Sequence, residues 1–171
     1  MIRLLTGSTH TGKTLLAQRL LERHGVPYLS IDHLKMGLIR SGMCPLTPES
    51  PDEALTAVLW PVVREIVKTA VENGQSLTVE GCYIPFDWRE DFDASCLPHI
   101  RFLCLVFSEA YIRTRFDAIQ THANAIERRK DDSFCTMELL LAENRRNLEA
   151  CRRRGLPYYL IDGPYAPPLD W

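Results

Sequence analysis

The chain has 171 residues, of which 46% are hydrophobic and 25% are charged, and its formal net charge is −2. This length and composition are those of one globular domain with a buried core, so we expect a single domain over residues 1–171. The small negative charge provides no broad basic surface, and no apolar run is long enough to cross a membrane, which argues against nucleic-acid and membrane partners.

The chain opens with an apolar segment, Ile2 to Leu5, that leads into the loop Gly7-Ser8-Thr9-His10-Thr11-Gly12-Lys13-Thr14. The loop has the pattern G-x-x-x-x-G-K-[ST], in which backbone N–H groups wrap a phosphate, the lysine reaches the β- and γ-phosphates and the hydroxyl binds Mg²⁺. A helical pattern follows, as phosphate binding at a helix N-terminus requires, and it stops near Gly25. We expect the whole loop to bind a nucleotide, with Lys13 catalytic and Thr14 as the Mg²⁺ ligand.

Four further apolar segments follow, each bounded by turn-forming residues: Tyr28 to Ile31, Leu77 to Val79, Phe102 to Phe107 and Tyr158 to Ile161. Helical patterns separate these segments, and the alternation predicts a parallel sheet of about five strands covered by helices on both faces. The predicted fold class is therefore α/β, with the three layers of a P-loop NTPase. Ligands gather at the carboxyl ends of strands in such sheets, so the residues directly after each segment are candidate site residues.

The longest helical pattern starts at Ser50-Pro51-Asp52-Glu53, which offers an N-cap serine, a first-turn proline and a capping-box glutamate. It continues to Asn73-Gly74. Pro61 lies inside the pattern, and we expect it to kink the helix or divide it in two, because proline removes a donor and crowds the preceding turn.

Two acidic residues follow predicted strands, Asp32 after the second and Glu80 after the third. Phosphoryl transfer needs a carboxylate that orients or deprotonates the acceptor hydroxyl. Asp32 can be that base or hold Mg²⁺-bound water, or it can be the N-cap of a helix over 33–39. Glu80 can hold the water shell of the metal or be the base, and the sequence leaves these two roles open.

Arginines concentrate in the C-terminal half of the chain, and charge of this kind stabilises a transferring phosphate. A segment that closes over the phosphate also excludes water, and we expect the polar stretch 117–133 to be such a lid. For Arg152 to Arg154 we expect a structural role, because basic side chains favour helix C-termini and Gly155 follows.

The six cysteines show no C-x-x-C pattern and no Cys/His spacing that zinc would need. We therefore expect reduced thiols in a cytoplasmic protein. The N-terminus reads as a core strand, so no signal peptide is expected.

The first forty residues resemble the opening of the adenylate kinase family, within the wider group of P-loop small-molecule kinases: a strand, the phosphate loop, a helix, then His24-Gly25-Val26-Pro27 and Ile39-Arg40-Ser41-Gly42. Later, Arg129-Lys130-Asp131-Asp132 is similar to the R-K-D-D signature of the family, whose arginine contacts the transferring phosphates. The resemblance implies a nucleoside-monophosphate-kinase-like fold with a short lid, and ATP with Mg²⁺ as cofactors. It also implies that Arg115 packs on the adenine and the phosphates and that Asp162-Gly163 borders the adenine.

The departures from this family fall on the acceptor side. Members that use AMP carry T-G-D-x-x-R after the second strand, where this chain has Ile31-Asp32-His33-Leu34-Lys35-Met36. Their D-G-F-P-R pattern becomes Glu80-Gly81-Cys82-Tyr83-Ile84-Pro85, so both arginines that grip the AMP phosphate are missing. In having an aspartate directly after the second strand, the chain resembles P-loop kinases of sugars, hydroxy acids and antibiotics and the zeta-toxin group. In those proteins this aspartate acts as the base.

We therefore predict a kinase that transfers the γ-phosphoryl group of ATP, with Mg²⁺, to a small hydroxylated metabolite. The predicted catalytic residues are Lys13, Asp32, Glu80 and Arg129. We expect the acceptor to bind within 32–73, where Lys35 and Arg40 would hold an anionic group, with Asp32 and Glu80 beside it. The alternatives are an adenylate or other nucleoside monophosphate kinase, and a nucleotide-dependent switch protein with little turnover.

Overall fold

The structure, a computed structural model of the chain, describes residues 1–122 and 135–171. Each of the predicted apolar segments forms a strand: β1 (Ile2–Gly7), β2 (Tyr28–Ser30), β3 (Leu77–Glu80), β4 (Ile100–Phe107) and β5 (Tyr158–Ile161). The strands form one five-stranded sheet in the order β2-β3-β1-β4-β5, and every neighbouring pair is parallel. The predicted sheet is therefore confirmed.

The described helices are α1 (Lys13–His24), α2 (Ile31–Arg40), α3 (Asp52–Glu72), α4 (Glu109–Thr121) and α5 (Met137–Arg154), with short 3₁₀ turns at Trp88–Asp91 and Leu97–His99. Alternate residues of β4 enter two separate buried clusters, because successive side chains of a strand point to opposite faces. Cys104 packs with residues of α3 such as Val63, whereas Leu105 packs with residues of α1 such as Leu16. The fold thus has the predicted three layers.

The sheet register brings the candidate site residues to one edge. Leu5 lies opposite Glu80 and Gly7 lies opposite Leu105, so the phosphate loop leaves the sheet beside the end of β3. Ser30, the last residue of β2, also pairs with Glu80. The carboxyl ends of β1, β2 and β3 therefore meet where the sequence predicts a ligand site.

The long helix differs from its prediction in two ways. It begins at Asp52 with Pro51 at the N-cap position and no side-chain cap, so Ser50 is not the cap. Pro61 does not divide the helix, which runs unbroken to Glu72. The proline is on the exposed side, where water can bind the carbonyl that loses its partner, while Leu59 and Val63 anchor the helix in the core.

Two C-terminal predictions have different outcomes. Gly155 adopts the left-handed conformation with φ 60° and ends α5, so Arg152 to Arg154 lie in the last turn of the helix, as predicted. Of the predicted lid, 117–121 continues α4, and the stretch from 123, which includes Arg129, lies outside the described residues. In the described part of the chain, no helix is long and apolar enough to cross a membrane.

Candidate active site

The phosphate loop connects the end of β1 to the start of α1. Gly7 has φ 149°, and a Cβ atom there would lie 2.4 Å from the carbonyl oxygen of Leu105, so only glycine fits. Gly12 is the N-cap of α1 with φ 78°, and no side chain caps this helix. The N–H groups of the first turn are therefore available to an anion, as nucleotide phosphates require.

The backbone carbonyl of Ser8 organises the inside of the loop. It accepts hydrogen bonds from Lys13 Nζ at 2.9 Å and from the hydroxyl group of Thr11 at 2.8 Å. Lys13 is buried, which opposes its charge, but Cys82 and the carboxylates of Glu80 and Asp32 outweigh this effect and raise the pKa of Lys13. The lysine therefore stays protonated at neutral pH, as a phosphate ligand must.

The rest of the loop is held from outside. The hydroxyl group of Ser8 donates a hydrogen bond of 2.5 Å to the carboxylate of Glu143 on α5. His10 has a positive φ of 65°. Its Nδ1 atom lies 2.9 Å from the hydroxyl oxygen of Thr9 and 3.5 Å from the sulfur atom of Cys135. Glu143 is a site residue that sequence analysis missed, because nothing local links α5 to a loop 135 residues earlier.

Thr14 and Glu80 together form a pair of oxygen donors. The Thr14 hydroxyl lies 3.4 Å from Glu80 Oε1, and Glu80 is almost fully buried at the end of β3. Hydroxyl and carboxylate oxygens are the ligands that Mg²⁺ prefers, and this ion keeps several waters and substrate oxygens rather than a full protein cage. The two residues therefore fit the metal that the loop pattern implies. Among the described residues, no group of three or more His, Cys, Asp or Glu side chains forms a dedicated metal site.

Asp32 lies in the first turn of α2. Ser30 occupies the N-cap position, so the interpretation of Asp32 as an N-cap is wrong; the helix starts two residues earlier than the pattern over 33–39 indicates. The Asp32 carboxylate lies 2.7 Å from Lys35 Nζ one turn later, and its side chain is 41% exposed. Because α2 starts directly after Ser30, which pairs with Glu80, and Glu80 pairs with Leu5 of β1, Asp32 lies at the same edge of the sheet as the phosphate loop. We call the space between the phosphate loop and the start of α2 the cleft.

The two predicted ligands of an acceptor anion have different surroundings. Lys35 is bound to Asp32 and donates a second hydrogen bond, of 2.9 Å, to the hydroxyl of Tyr83. Burial opposes the charge on Lys35, but Asp32 and the two hydrogen bonds raise its pKa. Arg40 is exposed at the end of α2, eight residues and about 12 Å of helix beyond Asp32. The structure therefore places Lys35 beside Asp32 and leaves Arg40 exposed at the far end of α2.

Asp52, at the start of α3, interacts electrostatically with charged groups of α2 and α5. The pKa of Asp52 is raised by partial burial, by the Glu143 carboxylate and, more weakly, by Asp32. The positive charges of Lys35 and Arg146 oppose this shift. The charge of Asp52 at the N-terminus of α3 is therefore coupled to charges on α2 and α5. A separate cavity of about 330 Å³ lies between α3 and the stretch 85–91 and contains no residue of the phosphate loop.

The residues that the resemblance assigns to the adenine lie directly after β5 and on α4. Asp162 accepts a short hydrogen bond from the Ser108 hydroxyl, which joins the ends of β4 and β5. Gly163 follows, and two residues later the hydroxyl of Tyr165 donates to the carbonyl oxygen of Gly12 at 2.6 Å. Arg115 is exposed on α4 at a local break in the helix, with φ −129°. The residues after β5 therefore border the phosphate loop, and Tyr165 is a contact that sequence analysis missed.

Comparisons with known proteins show what the chain is similar to. No protein-family model matches the sequence, and no curated protein matches it. Three solved structures are similar over nearly the whole chain, each with a TM-score of 0.53. The first is a gluconokinase from Sinorhizobium meliloti 1021, with 20% sequence identity over 98% of this chain and 83% of that chain. The second is a sugar kinase from Janibacter sp. HTCC2649, with 18% identity over 94% of this chain and 84% of that chain. The third is a shikimate kinase from Bacteroides thetaiotaomicron, with 15% identity over 95% of this chain and 86% of that chain. At these identities the likeness concerns the fold, and the chain has the three-layer fold of P-loop small-molecule kinases.

Proposed function

We propose that this protein is a P-loop kinase that transfers the γ-phosphoryl group of ATP to a hydroxyl group of a small metabolite. The observation that carries this proposal is the position of the buried Lys13 at the uncapped start of α1, at the sheet edge where Glu80 ends β3 and Asp32 follows β2. The similar structures support it, since they are named for small hydroxylated compounds. A cytoplasmic location belongs to the proposal; it is where ATP is available and where the six cysteines, none in a disulfide, stay reduced.

On the donor side, Lys13 and the N–H groups of the loop 7–14 would bind the β- and γ-phosphates. Thr14, with Glu80 behind it, would hold Mg²⁺, and the bound ion supplies positive charge to the phosphates. The resemblance to adenylate kinases assigns the adenine to Arg115 and the stretch 162–163, and assigns phosphate contact to Arg129.

On the acceptor side, we assign the base to Asp32 and metal binding to Glu80. Glu80 is 1% exposed and lies beside Thr14, so an acceptor cannot easily reach it. The Asp32 side chain is 41% exposed, so an acceptor can reach it, and it lies at the same edge of the sheet as the phosphate loop. As the acceptor oxygen forms its bond to the γ-phosphorus, Asp32 takes the hydroxyl proton, and the bond between the γ-phosphorus and the bridging oxygen breaks with its electron pair leaving on ADP.

The test is a direct assay of ADP formation with a panel of acceptors that includes gluconate, shikimate, neutral sugars and AMP. We expect turnover with a hydroxylated metabolite, and we expect Lys13→Ala to abolish it without unfolding the protein. Unchanged turnover in Lys13→Ala would remove the phosphate loop from the mechanism. Tight nucleotide binding with no turnover for any acceptor would instead favour a nucleotide-dependent switch.

A nucleoside monophosphate kinase is the second candidate, and the R-K-D-D stretch 129–132 favours it. That stretch lies outside the described residues. One observation argues against a nucleoside monophosphate kinase: the start of α2 and the loop after β3 both lack the arginine that AMP-using members have there. Efficient conversion of ATP and AMP to ADP that survives Asp32→Asn would make this the better assignment.

A further inference from the structure

We infer that Lys35 is a positioning residue that holds Asp32 in its reactive orientation, rather than a ligand of an anionic acceptor. This inference rests on the proposed function and deepens it. Lys35 would then affect the rate of the chemical step. The acceptor would not need a negative charge at this point of the cleft.

The contacts of the Lys35 ammonium group leave little for a substrate. An ammonium has three donors, and two of them are used, one on Asp32 Oδ1 at 2.7 Å and one on the Tyr83 hydroxyl at 2.9 Å. The nitrogen also lies 5.1 Å from the centre of the Tyr83 ring, within the range of a cation–π interaction. The Lys35 side chain is only 11% exposed, so its third donor is largely shielded from a ligand in the cleft.

The partners of Lys35 are themselves fixed. Tyr83 is 6% exposed and belongs to the buried cluster that joins the sheet to α3. Asp32 and Lys35 are three residues apart on α2 and therefore share one face of the helix. Lys35 thus connects a carboxylate on α2 to a rigid aromatic ring that follows β3.

This arrangement suits a general base. Lys35 holds one carboxylate oxygen, Oδ1, and leaves Oδ2 for the acceptor hydroxyl. In the transfer step, Oδ2 takes the proton while the acceptor oxygen bonds to the γ-phosphorus and ADP leaves with the electron pair of the broken bond. Efficient proton transfer needs a base held within hydrogen-bond reach of its substrate, and a freely rotating carboxylate would meet that condition for only part of the time.

The other groups that face Asp32 cannot replace this contact. Lys13 at the start of α1 interacts electrostatically with Asp32, but its ammonium is bound to the carbonyl of Ser8 and is assigned to the phosphates. Cys82 and Tyr83 of the loop after β3 and Asp52 of α3 also interact electrostatically with Asp32, but none of the three side chains carries a positive charge. Within the described residues, Lys35 is the cation bonded to the Asp32 carboxylate.

The experiment measures kcat and KM for wild type, Lys35→Met, Lys35→Gln and Lys35→Arg. The nucleophiles are water, D-gluconate and the neutral polyol D-glucitol, together with any acceptor that the panel identifies. For Lys35→Met we expect kcat to fall about 10- to 100-fold, the cost of a misplaced catalytic group, with KM values unchanged within about two-fold. Lys35→Arg should restore most of the rate because it keeps the charged contact. Lys35→Gln provides a second neutral variant, and far-UV circular dichroism checks that each variant is folded.

Lys68→Met is the matched control, since Lys68 makes the same kind of contact, three residues from Glu65 at 3.1 Å, on the surface of α3. It should leave kcat and KM unchanged. The double variant Asp32→Asn, Lys35→Met should have the same kcat as Asp32→Asn alone. Lys35 acts through Asp32, so its removal has no further effect once the base is absent.

Three results would overturn the inference. A raised KM for gluconate alone, with kcat unchanged, would make Lys35 a ligand of an anionic acceptor. Wild-type kcat in Lys35→Met and Lys35→Gln would reduce the contact to a structural ion pair, and additive losses in the double variant would separate Lys35 from Asp32. Absence of ADP formation by the wild-type protein with every nucleophile would instead contradict the proposed function itself, and the inference with it.

Discussion

The hydroxyl group of Tyr165 donates a hydrogen bond to the carbonyl oxygen of Gly12 across 2.6 Å. The same carbonyl accepts the first backbone bond of α1, from the N–H of Leu16 at 2.9 Å. Arg19 lies over the ring of Tyr165 at 5.4 Å from its centre, which holds the ring against α1. The segment after β5 therefore supports the point where the phosphate loop becomes a helix.

Removal of this support should weaken nucleotide binding. We expect Tyr165→Phe to lower the affinity for a non-hydrolysable ATP analogue with Mg²⁺ by about 2- to 10-fold, the equivalent of one neutral hydrogen bond of about 0.5 to 1.5 kcal/mol. Isothermal titration calorimetry measures the change. Tyr158→Phe is the control, because Tyr158 is exposed at the start of β5. Equal affinities of Tyr165→Phe and wild type would show that the hydroxyl does not position the loop.

Two glycines should respond to alanine in opposite directions. We expect Gly7→Ala to destabilise the protein by at least about 2 kcal/mol, since the new Cβ atom meets the backbone oxygen of Leu105 and φ is unfavourable. Gly37 lies in α2 with open space around it, so Gly37→Ala should stabilise the fold by about 0.5 to 1 kcal/mol. Urea unfolding measures both, and a tolerated Gly7→Ala would contradict the geometry of the loop.

The contribution of Lys35 to stability should not depend on pH near neutrality. Its pKa is raised in the folded protein, so its stabilising contribution is fully present below the unfolded value near 10.5 and is lost only as pH rises through the folded value. The difference in unfolding free energy between wild type and Lys35→Met should therefore stay constant from about pH 7 to 9. Urea unfolding at several pH values tests this, and a difference that shrinks over that range would refute the raised pKa.

Asp32 should matter to chemistry and little to nucleotide binding. We expect Asp32→Asn to lower kcat by about 10²- to 10⁴-fold, the usual contribution of a general base, with ATP affinity almost unchanged because asparagine keeps the size of the side chain. Steady-state kinetics and calorimetry provide the two values. A parallel loss of affinity and rate would point to a role in binding ATP instead.

Local sequence patterns were sufficient for the framework of the protein. The loop from Gly7 to Thr14 and the strands around it could be predicted because each depends on residues close in the chain: glycines where the backbone needs them, and apolar runs of strand length. Local patterns alone were insufficient at two points. Pro61 predicts a helix that is kinked or divided, and α3 is not divided, because its buried neighbours anchor both halves in the core. Ser30, rather than Asp32, occupies the N-cap of α2.

The phosphate loop, the parallel sheet and the two acids at the ends of β2 and β3, Asp32 and Glu80, could be recognised in the sequence because these features repeat known spacings. Which side chains meet depends on the tertiary structure. Tyr83 reaches Lys35 from 48 positions away, Glu143 reaches Ser8 from 135, and Tyr165 reaches Gly12 from 153. These pairs have no signature in the chain, because the order of strands in the sheet and the crossing of helices over it set their distances, and those depend on the burial of the whole core.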